Sequence, residues 1–340
     1  TRGLKAPSGV WGMDFEKLFH QFTQIKVAVI GDVMLDTYWW GKVDRISPEA
    51  PVPVVAVSKK EQRIGGAGNV ALNLQSLGAA VTVLSVMGKD DDGAQLVKLF
   101  DDNNINTKYL VHSEQRITTN KIRIISRNQH MMRLDAELTS DISKADEDRL
   151  IYAFENCIAA EMPNVVVLED YNKGVLTENV IAKIIELCRH HKIVTTVDPK
   201  RKNFFAYKGV DIFKPNLKEV KEGLNLLSDE VSLAALKDIH VQLQDKLKHQ
   251  ISFITLSEKG VFYNDDKTAA LIPTHIRNVA DVSGAGDTVI AVASLVYATT
   301  KNVVLMADMA NIAGGLVCEE VGTVAIDKEK LLEECKKLLS

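Results

Sequence analysis

Short apolar runs alternate with longer segments of helical spacing along most of this chain. The apolar runs are rich in β-branched residues, and several contain no polar position, which is typical of strands covered on both faces. The predicted strands are 26–30, 81–86, 164–168, 193–197, 211–213 and 251–256. The predicted helices are 70–77, 93–103, 144–160, 177–191, 229–247, 288–299, 303–320 and 328–339. This order predicts an α/β fold in which a doubly wound, mostly parallel sheet is flanked by helices.

Two segments, 51–57 and 118–134, have the composition of strands but interrupt the alternation with helices. The second segment is strongly basic, and lysine and arginine alternate with isoleucine over 121–124. We expect the two segments to form a small sheet, or lid, that folds over a cleft. The predicted lid strands are about 38–60 and 108–135, within one domain of 26–340 that follows an N-terminal extension and helix, 1–25.

Composition excludes several classes of function. The chain of 340 residues has a net charge of −4 and a pI near 6.1, so neither nucleic acid nor anionic membrane is expected as its main partner. No apolar run approaches the roughly 20 residues of a membrane-spanning helix, and no signal peptide is recognisable. The cysteines match no metal or redox spacing, which favours free thiols in the cytoplasm. They are Cys157, Cys188, Cys318 and Cys335.

The segment Asp281-Val-Ser-Gly-Ala-Gly-Asp287 gives the strongest chemical signal. Small residues lead directly into a helical pattern, and the free backbone N–H groups at a helix start bind anions such as phosphate. A carboxylate inside a phosphate site is repelled unless it takes a proton from the group that attacks the phosphate. The segment therefore indicates phosphoryl transfer to a hydroxyl group. Asp is also a good N-cap, so this segment alone leaves a plain helix cap equally open.

Other polar turns are predicted at the carboxyl ends of strands, where open α/β sheets bind ligands. Asp32 and Asp36 follow the first strand, and Asp36 is suited to bind two sugar hydroxyls, although a plain Asp-rich turn is the alternative. Gly65 and Gly66 allow close approach of a polyol, with Asn69 as its hydrogen-bond partner. The same glycine segment fits a dinucleotide-binding fingerprint, which leaves a dehydrogenase as a weak alternative.

Further turns supply candidate metal, nucleotide and charge sites. Asn216 and Glu219 fall on one face of a helix start, where they fit either a hydrated Mg²⁺ or a capping box, and this pair alone favours the capping box. The candidates for nucleotide phosphate and ribose are Thr255, Ser257 and Gly260, and acid and lysine residues follow two more strands at Asp170, Lys173 and Lys200. No P-loop and no protein-kinase motif set is present.

Together these motifs resemble the ribokinase/PfkB family of carbohydrate kinases over nearly the whole chain. The segment 281–287 resembles the family's C-terminal signature, 65–66 its N-terminal one, and 216–219 its magnesium-associated motif. The resemblance implies a ribokinase-like fold with a β-sheet lid, ATP as donor and Mg²⁺ as cofactor. It implies that Asp287 is the catalytic base. The remaining implied roles are phosphoryl stabilisation by the N–H groups of Gly284, Ala285 and Gly286, and water-mediated Mg²⁺ contacts from Asn216 and Glu219.

The resemblance also implies roles in donor binding, cation binding and assembly. ATP contacts fall on Thr255, Ser257, Gly260 and the helix around Asn311. Asp281 is a candidate ligand for a monovalent cation such as K⁺. Lid strands in this family often pair between subunits, and a sheet edge at 51–57 or 118–126 favours such pairing, so a homodimer is expected.

Within the family, the chain is most similar to the D-glycero-β-D-manno-heptose-7-phosphate kinases. The segments that carry this similarity are 31–36, 45–54 with its run Ile-Ser-Pro-Glu-Ala-Pro-Val-Pro, 65–71, 127–129, 133–135, 170–174 and 215–219. The similarity implies ATP-dependent phosphorylation of the anomeric hydroxyl of heptose 7-phosphate. Its product, heptose 1,7-bisphosphate, leads toward ADP-heptose and the lipopolysaccharide inner core.

A sugar that already carries a phosphate needs cations, and guanidinium groups bind phosphate through paired hydrogen bonds. Arg127, Arg133 and Lys173 are predicted as 7-phosphate ligands, with Arg123 and Lys200 nearby, and solvated lid charges are the alternative. Another sugar or nucleoside kinase of this fold and a non-catalytic sugar-phosphate sensor stay open. The sequence, which ends at 340, also leaves open a stand-alone kinase or part of a bifunctional enzyme with an adenylyltransferase domain.

Overall fold

The structure is a computed structural model that describes residues 12–127, 129–227, 230–275 and 277–339, so 1–11 of the predicted extension lie outside it. The strands are β1 Lys26–Gly31, β2 Val33–Ile46, β3 Pro53–Gly66, β4 Ala80–Leu84, β5 Val86–Gly88, β6 Val111–Ser113, β7 Asn120–Ser126, β8 Gln129–Ala136, β9 Val165–Glu169, β10 Val194–Asp198, β11 Ile212–Phe213, β12 Ile251–Thr255, β13 Val261–Asn264 and β14 Ala269–Ile272. The helices are α1 Phe15–Phe22, α2 Ala67–Ser76, α3 Asp91–Asp102, α4 Lys144–Glu161, α5 Glu178–His191, α6 Leu217–Leu224, α7 Leu233–Leu247, α8 Ala285–Thr300, α9 Val303–Val317 and α10 Lys328–Leu339.

The large sheet has eight strands in the order β14-β13-β12-β11-β10-β9-β1-β4. The six strands from β12 to β4 run parallel, and β13 and β14 extend that sheet in antiparallel pairing. The α/β class predicted from the alternating pattern is therefore confirmed. None of the helices in the four described ranges is long and apolar enough to span a bilayer.

Helices cover both faces of this sheet, which explains why its strands are mostly apolar. In β1, Val27 and Val29 pack into one core cluster and Ala28 and Ile30 into another, as alternation along a strand requires. The first cluster also contains side chains of α1, α2, α3, α8, α9 and α10, and the second contains those of α4, α5, α6 and α7. A strand buried on both faces is stabilised by apolar side chains at every position.

The predicted lid is a separate four-stranded sheet in the order β3-β2-β7-β8. It begins earlier than expected, because only Asp32 separates β1 from β2, where the sequence indicated a turn over 31–36. β2 pairs with β3 from Val33 opposite Gly66 to Ile46 opposite Pro53. This long antiparallel ladder satisfies the backbone of the segment and extends the strand through the predicted turn.

The carboxyl ends of the parallel strands meet at one edge of the large sheet, as the sequence predicted. β1, β9, β10 and β12 end there at Gly31, Glu169, Asp198 and Thr255. The lid continues from β1 at the same edge through Asp32. This edge and the lid therefore enclose the candidate site.

Candidate active site

Asp287 lies in the first turn of α8, where its carboxylate joins three segments of the chain. The side-chain amide of Asn69 donates a hydrogen bond to Oδ2 at 2.7 Å, and the Tyr171 hydroxyl donates one to Oδ1 at 2.7 Å. The N-cap residue is Gly284, and no side chain caps the helix. The interpretation of Asp287 as a plain helix cap is therefore wrong, because its carboxylate binds side chains of other segments.

The pKa of Asp287 is compatible with proton transfer near neutral pH. Burial raises it to about 6, the Asp198 carboxylate adds to the rise, and the hydrogen bonds from Asn69 and Tyr171 and the charge of Lys214 act against it. Burial and the Asp287 charge raise the pKa of Tyr171 well above its usual value, so this phenol stays a neutral donor. Asp287 is then an ionised carboxylate at neutral pH whose basicity suits a general base.

The start of α8, the helix turn that carries Asp287, also has free backbone donors. Gly284 has a φ of 80°, in the left-handed region that favours glycine. Within the described chain, the N–H groups of Gly284, Gly286 and Asp287 have no acceptor, whereas Ala285 donates to the Val282 carbonyl at 3.3 Å. Free N–H groups at the positive end of a helix form an anion site, so two of the three predicted donors are available for one.

Four charged side chains form a network beside the anion site. The Lys214 ammonium, with its side chain 2% exposed, donates to Asp198 Oδ2 at 2.7 Å. Lys200 bridges Asp198 at 3.2 Å and Glu219 at 2.7 Å. A Cβ on Gly286 would lie 3.7 Å from Lys214 Nζ, so this ammonium faces the start of α8. Lys214 was not predicted from the sequence, although a lysine directly after the apolar strand β11 is a signal for it.

Glu169 is a buried acid next to this network. It ends β9 opposite Gly31 of β1 and Asp198 of β10, and it is fully buried. Neither carboxyl oxygen has a hydrogen-bond partner in the described structure. Burial, followed by the charges of Asp198 and Asp287, raises its pKa well above the usual value despite two nearby lysines. Glu169 is therefore expected to be a neutral acid beneath the site.

Asp32 holds the loop that follows β9. Its carboxylate accepts hydrogen bonds from the backbone N–H groups of Tyr171 at 2.8 Å, Lys173 at 3.1 Å and Val175 at 3.1 Å. These contacts place the Tyr171 side chain against Asp287. Asp32 thus has a positioning role that the sequence did not indicate, and its predicted contact with substrate stays a prediction.

The two glycines after the lid strand β3 lie against the acidic residues that follow β1. A Cβ on Gly65 would lie 2.3 Å from Asp36 Oδ2, and one on Gly66 would lie 2.4 Å from the Asp32 carbonyl. Asp36 also pairs with Arg123 of β7 at 2.5 Å. In this structure the glycines approach aspartates and Asn69 donates to Asp287, and the predicted contacts of Gly65, Gly66 and Asn69 with a polyol stay predictions.

Most of the charged residues that were predicted to bind the sugar substrate have partners within the chain. Lys173 pairs with Glu137 at 2.8 Å. Arg133 forms two hydrogen bonds with Asp135, at 2.8 and 2.9 Å. Asp170 accepts hydrogen bonds from the Tyr207 hydroxyl and the Asn172 N–H, both at 2.7 Å, and burial raises its pKa to about 6. Arg127 lies in the turn between β7 and β8, with a left-handed φ of 49°.

The predicted nucleotide side lies next to the charged network. Asn216 and Glu219 form the capping box of α6, as the cheaper interpretation predicted, and Asn216 forms an isolated β-bridge with Thr255. Ser257 and Gly260 follow in the adjacent turn, both with positive φ. On α9, the Asn311 amide donates to the Pro273 carbonyl at 2.9 Å.

The predicted cation ligand Asp281 connects two loops behind the start of α8. One carboxylate oxygen accepts hydrogen bonds from the Ser283 N–H at 2.9 Å and hydroxyl at 2.8 Å. The other accepts from the Gly322 N–H at 3.0 Å. Its predicted K⁺ role stays a prediction.

Comparison with known proteins decides the family of this site. The model of the pfkB family of carbohydrate kinases matches residues 24–330, which include β1, the lid, the charged network and α8. The chain belongs to the pfkB family. It is therefore a carbohydrate kinase, and the resemblance found in its motifs is confirmed.

Relatives and solved structures agree with this assignment. The pfkB-family chain is 37% identical over 317 residues to the bifunctional protein HldE of Sulfurimonas denitrificans, covering 93% of this chain and 65% of that one. It spans about two thirds of the length of such relatives. Its fold matches Escherichia coli phosphofructokinase-2 in complex with potassium, at TM-score 0.75 and 17% identity, covering 93% and 98% of the two chains. It also matches Arabidopsis thaliana ribokinase complexed with ribose and ATP, at TM-score 0.69 and 15% identity, covering 91% and 99%.

Proposed function

We propose that this pfkB-family kinase transfers the γ-phosphoryl group of ATP to the anomeric O1 of D-glycero-β-D-manno-heptose 7-phosphate, giving heptose 1,7-bisphosphate. The observation that carries the proposal is the Asp287 carboxylate held at the free N–H donors of the α8 start. A base and an anion site in one helix turn are the two elements that phosphoryl transfer to a hydroxyl requires.

The proposed chemistry begins with proton transfer. Asp287 accepts the O1 proton as O1 attacks the γ-phosphorus, and the bond from that phosphorus to the β–γ bridging oxygen breaks to release ADP. The Asn69 and Tyr171 hydrogen bonds orient the carboxylate. Each carboxylate oxygen keeps a second lone-pair site for the sugar hydroxyl. The free N–H groups of Gly284 and Gly286 stabilise the charge of the transferring group.

The charged network of Lys214, Asp198, Lys200 and Glu219 is proposed to bind the ATP phosphates. Lys214 faces the anion site, and an ammonium there offsets phosphate charge during transfer. Glu219 fits a hydrated Mg²⁺, because its two oxygens offer about four acceptor sites and, among the described residues, Asn216 and Lys200 donate one hydrogen bond each to them. When bound, Mg²⁺ neutralises phosphate charge. Thr255, Ser257, Gly260 and Asn311 are the proposed ATP contacts, and Asp281 is proposed to bind K⁺.

The heptose substrate is proposed from similarity and from charge. Of the segments that resemble heptose-phosphate kinases, 65–71 and 170–174 carry Asn69 and Tyr171, whose side chains donate hydrogen bonds to Asp287. A phosphorylated acceptor also needs cations, and β7 carries Arg123, which pairs with Asp36, and Lys121, which lies over the Tyr171 ring. A different sugar phosphate is the alternative, and the same residues would then perform the same transfer.

A substrate panel tests the proposal. Incubation with ATP, Mg²⁺ and heptose 7-phosphate, fructose 6-phosphate, ribose or unphosphorylated heptose is followed by phosphorus NMR. We expect a new anomeric phosphate signal with heptose 7-phosphate and the highest kcat/KM for that sugar. Preference for fructose 6-phosphate or ribose would reject the heptose assignment but retain the kinase. The absence of turnover with every sugar would reject both.

A further inference from the structure

Lys121 is a lid cation that has no carboxylate partner among the described residues. It lies on β7, and its side chain is half-buried. In the described structure its ammonium forms no hydrogen bond and no ion pair. The ammonium lies over the Tyr171 ring, 5.8 Å from the ring centroid. Burial and the Lys173 ammonium lower its pKa, against weaker effects from Asp36, Glu137 and Asp135. A half-buried ammonium repelled by a second one is stabilised by a bound anion.

The other cations around Lys121 differ because each one has a carboxylate partner. Lys173 pairs with Glu137, Arg123 with Asp36, and Arg133 with Asp135. Arg133 donates to Asp135 through Nε and Nη2, one edge of its guanidinium, and its side chain is 58% exposed. These cations are therefore partly or fully neutralised, whereas the charge of Lys121 is available to a ligand.

The position of Lys121 relative to Asp287 fits an acceptor that carries a phosphate. Both groups contact Tyr171, Lys121 over the ring and Asp287 at the hydroxyl. The face of β7 that carries Lys121 also carries Arg123, which reaches Asp36 near the glycines. A sugar whose reacting hydroxyl lies on Asp287 would extend along Tyr171 and bring a distal group toward Lys121.

We propose that Lys121 binds the phosphate already carried by the acceptor sugar, with Lys173 beside it, and so selects phosphorylated over unphosphorylated acceptors. This inference rests on the proposed function. It replaces the sequence-based preference for Arg133 with a residue whose charge is unpaired. A single charged hydrogen bond to phosphate accounts for about a 10–100-fold effect on affinity.

The test compares phosphorylated and unphosphorylated acceptors in Lys121→Met, Lys121→Arg and Arg133→Met. We expect Lys121→Met to raise KM for heptose 7-phosphate about 10–100-fold, with kcat within about threefold and unchanged kcat/KM for unphosphorylated heptose. Lys121→Arg, which keeps the charge, should recover most of the affinity. Lys60→Met is the matched control, since its ammonium also lies over a lid aromatic ring, that of Trp39 at 4.7 Å.

The outcomes separate this inference from the proposed function. An unchanged KM for heptose 7-phosphate in Lys121→Met, or an increase in Arg133→Met alone, would overturn the inference while the heptose assignment stands. A fall in kcat/KM for both acceptors would also overturn it, because a phosphate ligand acts on the phosphorylated acceptor only. If the wild type prefers another sugar phosphate, the same comparison with that sugar and its unphosphorylated form tests Lys121 after the heptose assignment has failed.

Discussion

Asp287 is buried and accepts hydrogen bonds from two neutral donors, Asn69 and Tyr171. Its pKa of about 6 suits its proposed role as a general base. We expect Asp287→Asn to lower kcat by about 10²–10⁴, the usual effect of removing a general base. In the wild type, kcat/KM should fall as pH decreases through about 6, because protonation of Asp287 removes the base. Steady-state kinetics between pH 5 and 8 measure both effects.

The control for this substitution is the melting temperature, which should show that Asp287→Asn folds. A kcat within about tenfold of the wild type would reject Asp287 as the base. An acidic limb that persists unchanged in the residual activity of Asp287→Asn would assign the pH dependence to another group, such as Asp170, whose pKa is also raised to about 6.

The raised pKa of Glu169 leads to a prediction about how stability depends on pH. Its folded pKa is raised above the usual 4.5, so its contribution to stability is present below pH 4.5 and is lost as pH rises through the folded pKa. Glu169→Gln is neutral at every pH and avoids this loss. We expect its melting temperature to exceed that of the wild type at pH 8 by at least about 2 °C, the shift that 1 kcal/mol produces in large domains, and to match it near pH 4.5.

The opposite result would be equally informative about Glu169. A wild type more stable than Glu169→Gln at pH 8 would show an ionised carboxylate stabilised by Lys200 and Lys214. Thermal melts at the two pH values, followed by circular dichroism, decide between these states.

At the residue scale, the sequence predicted Asp287 and the glycines but not their partners. Local chemistry made Asp287 a candidate, because a carboxylate at a small-residue helix start fits phosphoryl transfer, but it left a plain helix cap equally open. Tyr171 and Lys214 were missed because their roles depend on contacts between distant segments. Tyr171 reaches Asp287 only because Asp32 holds its loop, and no local pattern encodes that contact.

At the element scale, one glycine at the start of α8 and one on α9 allow effects on activity and on stability to be measured separately. A Cβ on Gly286 would lie 3.7 Å from Lys214 Nζ and 3.8 Å from Asp198 Oδ2, which is an ordinary contact. We expect Gly286→Ala to keep or raise the melting temperature, since alanine favours a helix by up to about 1 kcal/mol. Its methyl group would occupy the space between Lys214 and the anion site and lower kcat/KM for ATP about 10–100-fold.

The matched variant is Gly314→Ala on α9. Its Cβ would lie 2.7 Å from Val289 Cγ2 of α8, and overpacking of this kind costs about 1–3 kcal/mol. It should lower the melting temperature while the folded enzyme keeps its kcat. Thermal melts and initial rates measured on both variants test the pair. Loss of stability in Gly286→Ala would contradict the assignment of that space to a ligand.

Most helices and the parallel strands of the large sheet were predicted, because a helical apolar stripe and an unbroken apolar run are local signals. The short strands β5, β6, β13 and β14 were not predicted as separate strands. β2 was the main element missed at its start. Its first residues, Val33 to Leu35, read as part of a turn after Asp32, and the ladder with β3 that extends them is a long-range contact. Short-range patterns cannot reveal such pairing.

At the scale of the whole molecule, the parallel order of the strands brings turns that are distant in sequence to one edge of the large sheet. This convergence was predictable from the alternating pattern alone.

The two faces of the lid sheet carry different side chains. Over β7 and β8, one face carries Lys121, Arg123 and Arg133, of which the first two contact groups of the site. The other face carries apolar side chains, of which Met132 is 56% and Leu134 is 43% exposed. An exposed apolar face next to the edge strand β8 favours association with a second copy.

We therefore expect a homodimer that buries this apolar lid face. Light scattering coupled to gel filtration should give twice the chain mass of 37.5 kDa for the wild type. The double substitution Met132→Glu and Leu134→Glu places two charges in the interface and should yield monomers, because unpaired buried charges are strongly unfavourable. Val241→Glu on α7, another exposed apolar position at 62%, is the control and should stay dimeric. A monomeric wild type, or a double variant that stays dimeric, would reject the lid as the interface.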